Sequence, residues 1–351
     1  MILMVGPSLN GHGGISSVCA EYFDSGMFDR CSIKYLTSHR EGGYLSKFLV
    51  ALYAYIQAVW YLTFFRVDIV HVHMATGTSF WRKAIFCWLA QIFRVRYACH
   101  IHSGMFPKWV NIDCSIKLRS IIKSVLRNSS VTIALTKEWG IWLAEFAPGT
   151  TIETLGNPVT VRTAKKELTP WPTVLFLGRL SKVKGVNELL SAFKIVIQQY
   201  PSARLILCGE GDLAAVKDLV VRLGIAENVE YPGWVSGSAK HQLMSSVWVY
   251  ALPSHFEGLP MGLLEAMSYG IASVASRIGG IPDLVEDGKD GLLIHVFDVE
   301  ALSVALIKLI ESTTLRETIG LAAREKVIMK YSCATIESEL VAIYCRVGLE
   351  I

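Results

Sequence analysis

The chain has 351 residues, 52% of them hydrophobic and only 18% charged, with a mean hydropathy of +0.40 and a formal net charge of +4. That length suits two domains of about 150–190 residues, and the apolar share supplies a large core for each. The mild basic excess fits an anionic ligand or an anionic membrane surface and is too weak for a nucleic-acid binder.

From the N-terminus, MILMVGPSLNGHGG lacks a basic leader region and reads as a first strand running into a glycine loop, not as a signal peptide. Predicted strands ILMVG, SIKYL, DIVHVH, RYACHIH and VTIAL then alternate with helical stretches such as ISSVCAEYF and SIKLRSIIKSVLR. Residues 48–65 form an 18-residue apolar run interrupted by a single Gln, long enough to cross a bilayer. Its scattered aromatics, and the buried-strand pattern RVDIVHVH that follows at once, favour a helix buried between a sheet and its neighbours. Peripheral membrane attachment through a greasy surface flanked by Lys47, Arg66, Arg82, Lys83, Arg94 and Arg96 fits better than a true span.

Residues 156–172, GNPVTVRTAKKELTPWP, carry three prolines and a lysine pair and read as an interdomain linker. The alternation restarts beyond it with TVLFLG, ARLILCG, VEYPG, VWVYALP and ASVAS, separated by helices such as VNELLSAFKIVIQQY and LAAVKDLVVRLG. Strands alternating with helices imply parallel sheets with right-handed crossovers. The expected architecture is therefore two doubly wound α/β domains facing across a cleft, with ligands at the carboxyl ends of the strands. Residues 302–344 read as helical, the last helix returning to the first domain. The eight cysteines (Cys19, Cys31, Cys87, Cys99, Cys114, Cys208, Cys333, Cys345) show no CxxC pairing and mostly sit in apolar runs, as buried free thiols of a reducing compartment do.

Four constellations carry chemistry. In 175–185, LFLGRLSKVKG, Arg179 and Lys184 leave the end of a strand together, where they would grip a diphosphate or merely form a solvated basic loop. In 254–270, SHFEGLPMGLLEAMSYG, Glu257 falls on a loop and Glu265 about one turn inside a helix. The free amides near Met261, Gly262 and Leu263 form an anion site between the two acids. Acids beside an anion site suit sugar hydroxyls flanking a diphosphate; the plainer reading is one dipole-stabilising Glu and one exposed Glu. Gly13 and Gly14, in SLNGHGGISS, let backbone approach a ligand, though a GxGG loop is weak evidence alone. The pairs His71/His73 and His100/His102 stand at strand ends, each pair on one face; a metal site is the sharp reading and satisfied core or cleft histidines the commoner one.

Together with LCGEG, YPGWVS, ASVASRIGGIPDLVEDGKDGLLI and the MKYS tail, these segments make nearly the whole chain resemble a retaining glycosyltransferase of family 4, of GT-B architecture. The resemblance implies an N-terminal acceptor domain (1–160), a C-terminal nucleotide-sugar domain (161–330) and a helix at 331–351 packing back on the first. It implies that Arg179 and Lys184 bind the donor diphosphate, Glu257 the transferred sugar and Glu265 the ribose. Gly14, with Gly13, would approach the phosphates, His102 would stand by the reacting sugar, and Glu210, Trp234 and Val235 would lie near the base. No cofactor or metal is implied: the donor is a nucleotide-diphosphate sugar, the acceptor a glycan or lipid-linked glycan, and the setting the cytoplasm, at the inner face of a membrane. GLPMG stands where many members have a Phe-Gly pair, which blurs the sugar preference, and Asp283 stands where relatives often have Glu. The rival readings are a catalytically silent sugar-nucleotide-binding subunit, a metal-dependent hydrolase built on the HxH pairs, and an epimerase of the same architecture.

Overall fold

The computed structural model describes residues 1–162 and 167–350 and divides into two units, Met1–Val159 with Tyr331–Ile351, and Thr160–Lys330. The boundary falls within the proline-bearing segment 156–172; its lysine pair, Lys165 and Lys166, lies outside the described residues.

Unit 1 is built on β1 (Ile2–Pro7), β2 (Ile33–His39), β3 (Ile69–Met74), β4 (Arg96–Ile101), β5 (Val131–Ala134) and β6 (Ile152–Thr154). They form one parallel sheet in the order β2-β1-β3-β4-β5-β6. Unit 2 holds β7 (Thr173–Leu177), β8 (Arg204–Cys208), β9 (Val229–Gly233), β10 (Val249–Leu252), β11 (Ala272–Ser276) and β12 (Leu292–Ile294), in the order β12-β11-β10-β7-β8-β9, again parallel. The central strands are buried along nearly their whole length, because helices cover both faces of a parallel sheet and leave no polar side to alternate with. Strand order reverses between β1 and β3 in unit 1 and between β7 and β10 in unit 2. The loops beyond the carboxyl ends of those strands therefore diverge and leave a crevice in each unit.

The Cys333–Arg346 helix belongs to unit 1, where Val159 N–H bonds the Tyr331 carbonyl and Tyr344 OH meets His71 Nδ1 at 2.8 Å. Arg30–Glu337 and Arg346–Glu153 ion pairs fasten it from the outside.

Two expectations need correction. The apolar run forms the Tyr44–Phe64 helix, but it is not buried between layers. Only Ala51, Ala54, Ala58 and Leu62 face inward, a stripe at helical spacing that packs against the edge strand β2 and the Thr78–Ile92 helix. Leu45, Phe48, Leu49, Leu52, Tyr53, Ile56 and Trp60 are exposed. Small side chains bring the helix close to its support, and the large ones are left outside. Lys83, expected on the same surface, is only 1% exposed and belongs to the core of unit 1.

Candidate active site

In unit 2 the crevice is formed by the loops after β7 and β10. Gly178 ends β7, its amide bonded to the Cys208 carbonyl, and Arg179 follows, exposed and without a hydrogen-bond or ion-pair partner among the described residues. A 3-10 turn, Lys182–Lys184, then leads to Gly185 in the left-handed conformation (φ 70°). A Cβ on Gly185 would collide with the Pro253 carbonyl, so glycine is required both by φ and by close approach. That contact, with the His255 N–H bond to the Val183 carbonyl (2.8 Å), presses the turn carrying Lys184 onto the loop carrying Glu257.

Lys184 Nζ donates to Glu257 Oε1 at 2.7 Å, and Ser254 Oγ donates to the same oxygen at 2.6 Å. Eight residues on, Glu265 lies on the Met261–Ser268 helix, and its Oε1 accepts from Lys240 Nζ at 2.8 Å. Both acids are nearly buried, at 8% and 9% exposure, and each has a cation for a partner. Unpaired, either carboxylate would carry a desolvation penalty of several kcal/mol. Between them Tyr250 is fully buried; burial first, then the negative charges of Glu257 and Glu265, hold its hydroxyl protonated well above the usual range. A Cβ on Gly262 would run into that hydroxyl, so the first turn of the helix can sit over Tyr250 only as glycine. The helix ends at Gly270, left-handed at φ 66°. The first-turn amides of Met261, Gly262 and Leu263 have no helical acceptors and lie in sequence between the two acids.

Glu210 and Trp234 are exposed and Val235 half-buried, on the loops after β8 and β9. Val235 also lines a cavity of about 670 Å³ with Ile206, Glu230 and the Gly237–Ser246 helix, which none of Arg179, Lys184, Glu257 or Glu265 touches. The Lys240 and Ser254 partners were missed from sequence: GSAKHQ is an ordinary helix start, and only the fold brings its lysine to Glu265.

In unit 1, Gly13 and Gly14 open the Gly14–Asp24 helix after β1. A Cβ at either would meet open space, so packing does not demand glycine there. The four histidines gather at the ends of β3 and β4: His71 Nε2 meets His100 Nδ1 at 3.2 Å and His73 Nδ1 meets His102 Nε2 at 2.8 Å. One nitrogen from each of His71, His73 and His100 lies within 4.8 Å of the others, close enough to consider a metal. Ring-to-ring hydrogen bonds already engage one nitrogen of each imidazole, and among the described residues no carboxylate or thiolate joins the group, features that fit a buried neutral histidine cluster. Burial pushes His71 down to about 3 and depresses the other three as well. A histidine with a lowered folded-state pKa binds its proton more readily when unfolded, so stability is intact above pH 6.5 and falls as pH drops below it. For His71 alone the loss reaches about 2 kcal/mol at pH 5. Thermal melts between pH 7.5 and 5 should show this decline, and His71→Gln should make it shallower, with the other three histidines keeping the remainder.

Residues 162–326 match the family model for glycosyl transferases group 1. The match lies within unit 2 and covers just under half of the chain. N-acetyl-alpha-D-glucosaminyl L-malate synthase of Bacillus anthracis is 27% identical over 294 residues, covering 79% of this chain and 74% of that protein. The chain spans only 44% and 30% of the length of two other curated relatives. Among solved structures, sucrose-phosphate synthase of Thermosynechococcus elongatus superposes with a TM-score of 0.81 at 18% identity, over 98% of each chain. Anabaena HepE, crystallised with UDP and glucose, superposes at 0.75 and 18% identity over 99% of each. At such identities these likenesses speak for the fold: two Rossmann-like units of the GT-B class.

Proposed function

We propose that this group 1 glycosyltransferase chain moves a sugar from a nucleotide-diphosphate donor to a glycan or lipid-linked acceptor, with retention at the anomeric carbon and without a metal ion. The observation that carries this reading is the pair of contacts Lys184–Glu257 and Lys240–Glu265, disposed around the start of the Met261–Ser268 helix. A diphosphate entering there would meet Lys184, Arg179 and the free amides of the first turn. Lys184 can turn from Glu257 toward the phosphate while Glu257 accepts from a sugar hydroxyl, so neither buried charge is stranded. As the bond from the anomeric carbon to the phosphate oxygen breaks, negative charge develops on the leaving diphosphate, where these cations and amides stabilise it most. The acceptor oxygen bonds to the anomeric carbon on the same face, and the departing phosphate oxygen takes the acceptor's proton. Glu265 would hold the ribose. A relative named N-acetyl-alpha-D-glucosaminyl L-malate synthase and a GT-B structure holding UDP and glucose support the donor class.

The exposed apolar face of the Tyr44–Phe64 helix, with Arg66, Arg94 and Arg96 exposed nearby, supports peripheral contact with the cytoplasmic face of a membrane and hence a lipid-linked acceptor in surface polysaccharide assembly. The test is incubation of the chain with UDP-, GDP- and ADP-sugars in excess EDTA, with the sugar product read by NMR at the anomeric carbon. Turnover of at least one donor with the donor's own anomeric configuration is expected. Product formed only on adding a divalent metal, or with inverted configuration, overturns the reading.

A further inference from the structure

Lys83 lies on the Thr78–Ile92 helix, which follows β3, beside the crevice where the unit 1 strand order reverses. It is 1% exposed, yet its amine has no hydrogen-bond or ion-pair partner among the described residues. A buried ammonium without a counter-ion costs several kcal/mol, and a chain that needed only packing would place Leu or Met there. Its charged surroundings are mainly basic, with the buried Cys19 thiol also beside it. Its charge reaches His39 at the end of β2, His73 at the end of β3 and His102 just past β4, and the neighbouring Arg82 adds to it. Glu41, which acts on His39, is the one carboxylate named among these influences. Three nitrogens of this group are buried and unpartnered: His39 Nδ1, His73 Nε2 and Arg82 Nε. Native proteins rarely leave several buried donors idle at one place unless something absent from the chain satisfies them.

We infer that Lys83, Arg82 and His39 form a phosphate-binding site at the carboxyl end of the unit 1 sheet, which takes the phosphate or diphosphate group of the acceptor. The acceptor role rests on the proposed transferase reading; the anion site itself does not. An ammonium, a guanidinium and an imidazole offer more donors than the two oxygens of a carboxylate can use, whereas a phosphate or diphosphate can occupy them all. Burial and Arg82 push the Lys83 amine down to about 7, so it is partly neutral when empty and recharges as the anion arrives.

The experiment is calorimetric titration of inorganic pyrophosphate into the full chain, with and without saturating UDP, for the native protein and for Lys83→Met. With UDP present the native protein should still bind pyrophosphate, and Lys83→Met should bind at least tenfold more weakly. Its melting temperature without ligand should equal or exceed the native value, because the substitution removes an unpaired buried charge. Pyrophosphate binding that is absent from the native protein, or unchanged in Lys83→Met, overturns the site. Failure of UDP itself to bind would instead count against the transferase reading and leave the pyrophosphate comparison intact. Geranyl diphosphate separates the sources: tighter binding than pyrophosphate marks a lipid-linked phosphate, equal binding a soluble one, and either result supports the site.

Discussion

Lys184→Gln should lower the rate of sugar transfer by about a hundred- to a thousandfold while leaving the melting temperature nearly unchanged. The magnitude follows from the charge it faces: removing one preorganised group that stabilises developing charge on a leaving group typically costs about 3–4 kcal/mol of transition-state energy. The choice of glutamine matters because Lys184 is also the partner of Glu257, which is 8% exposed. Lys184→Ala would strand that carboxylate with only the Ser254 hydroxyl, and lost stability would then be confused with lost chemistry. A glutamine amide can still donate to Glu257 and supplies no charge to a diphosphate. Glu265→Gln makes the complementary case, since Lys240 keeps an acceptor there while the ribose loses a charged one. Its loss should appear mainly in KM for the donor, by about ten- to hundredfold for one charge-assisted hydrogen bond. Steady-state kinetics beside thermal melts would separate the two variants. Near-native kcat for Lys184→Gln would remove the residue from the reaction.

What the sequence disclosed and what it hid divide along a physical line. Long buried strands such as IVHVHM and ASVAS are continuous apolar runs, legible because a sheet covered on both faces tolerates nothing else. β6 and β12, of three residues each, gave no such signal and complete their sheets only through pairing with a neighbour already in place. Glu257 and Lys184 stand out in the sequence because each follows a strand end at the start of a glycine-bearing loop. Lys240 and Ser254 do not, because the contact between Lys240 and Glu265 joins two helices with no fixed separation in sequence. The two errors share a cause. Composition places Lys83 outside and the aromatics of residues 48–65 inside, whereas the fold does the reverse. Hydrophobicity alone does not fix burial, and a large exposed apolar face or a buried charge is the departure that the two proposals above set out to explain.

That reversal sets the second large effect. The triple variant Phe48→Glu, Ile56→Glu, Trp60→Glu should lose at least a hundredfold of its affinity for vesicles of anionic lipid, with its fold intact. All three side chains are more than half exposed, at 62%, 59% and 53%, and none belongs to the inward stripe of Ala51, Ala54, Ala58 and Leu62, so the helix keeps its seat on the sheet. Moving such a side chain from water into the acyl boundary gains about 1.5–3 kcal/mol when burial is complete, and each glutamate also repels an anionic surface. Half of that gain, lost three times, is about 2–4.5 kcal/mol, and with the added repulsion of three glutamates the loss reaches about two orders of magnitude or more. A transmembrane placement is inconsistent with the support the helix already has: Tyr55 OH bonds the Arg82 carbonyl at 2.9 Å, and the Lys34 ammonium lies over the Tyr61 ring. On the proposed peripheral reading, a helix so seated would lie in the interface plane, apolar face down, with the exposed Arg66, Arg94 and Arg96 offered to lipid phosphates. Vesicle flotation with neutral and anionic lipid separates the contributions. The triple variant should fail with both, and Arg66→Gln combined with Arg94→Gln should fail only with the anionic. Undiminished flotation of the triple variant would leave the exposed face without a lipid partner and shift the acceptor toward soluble glycans.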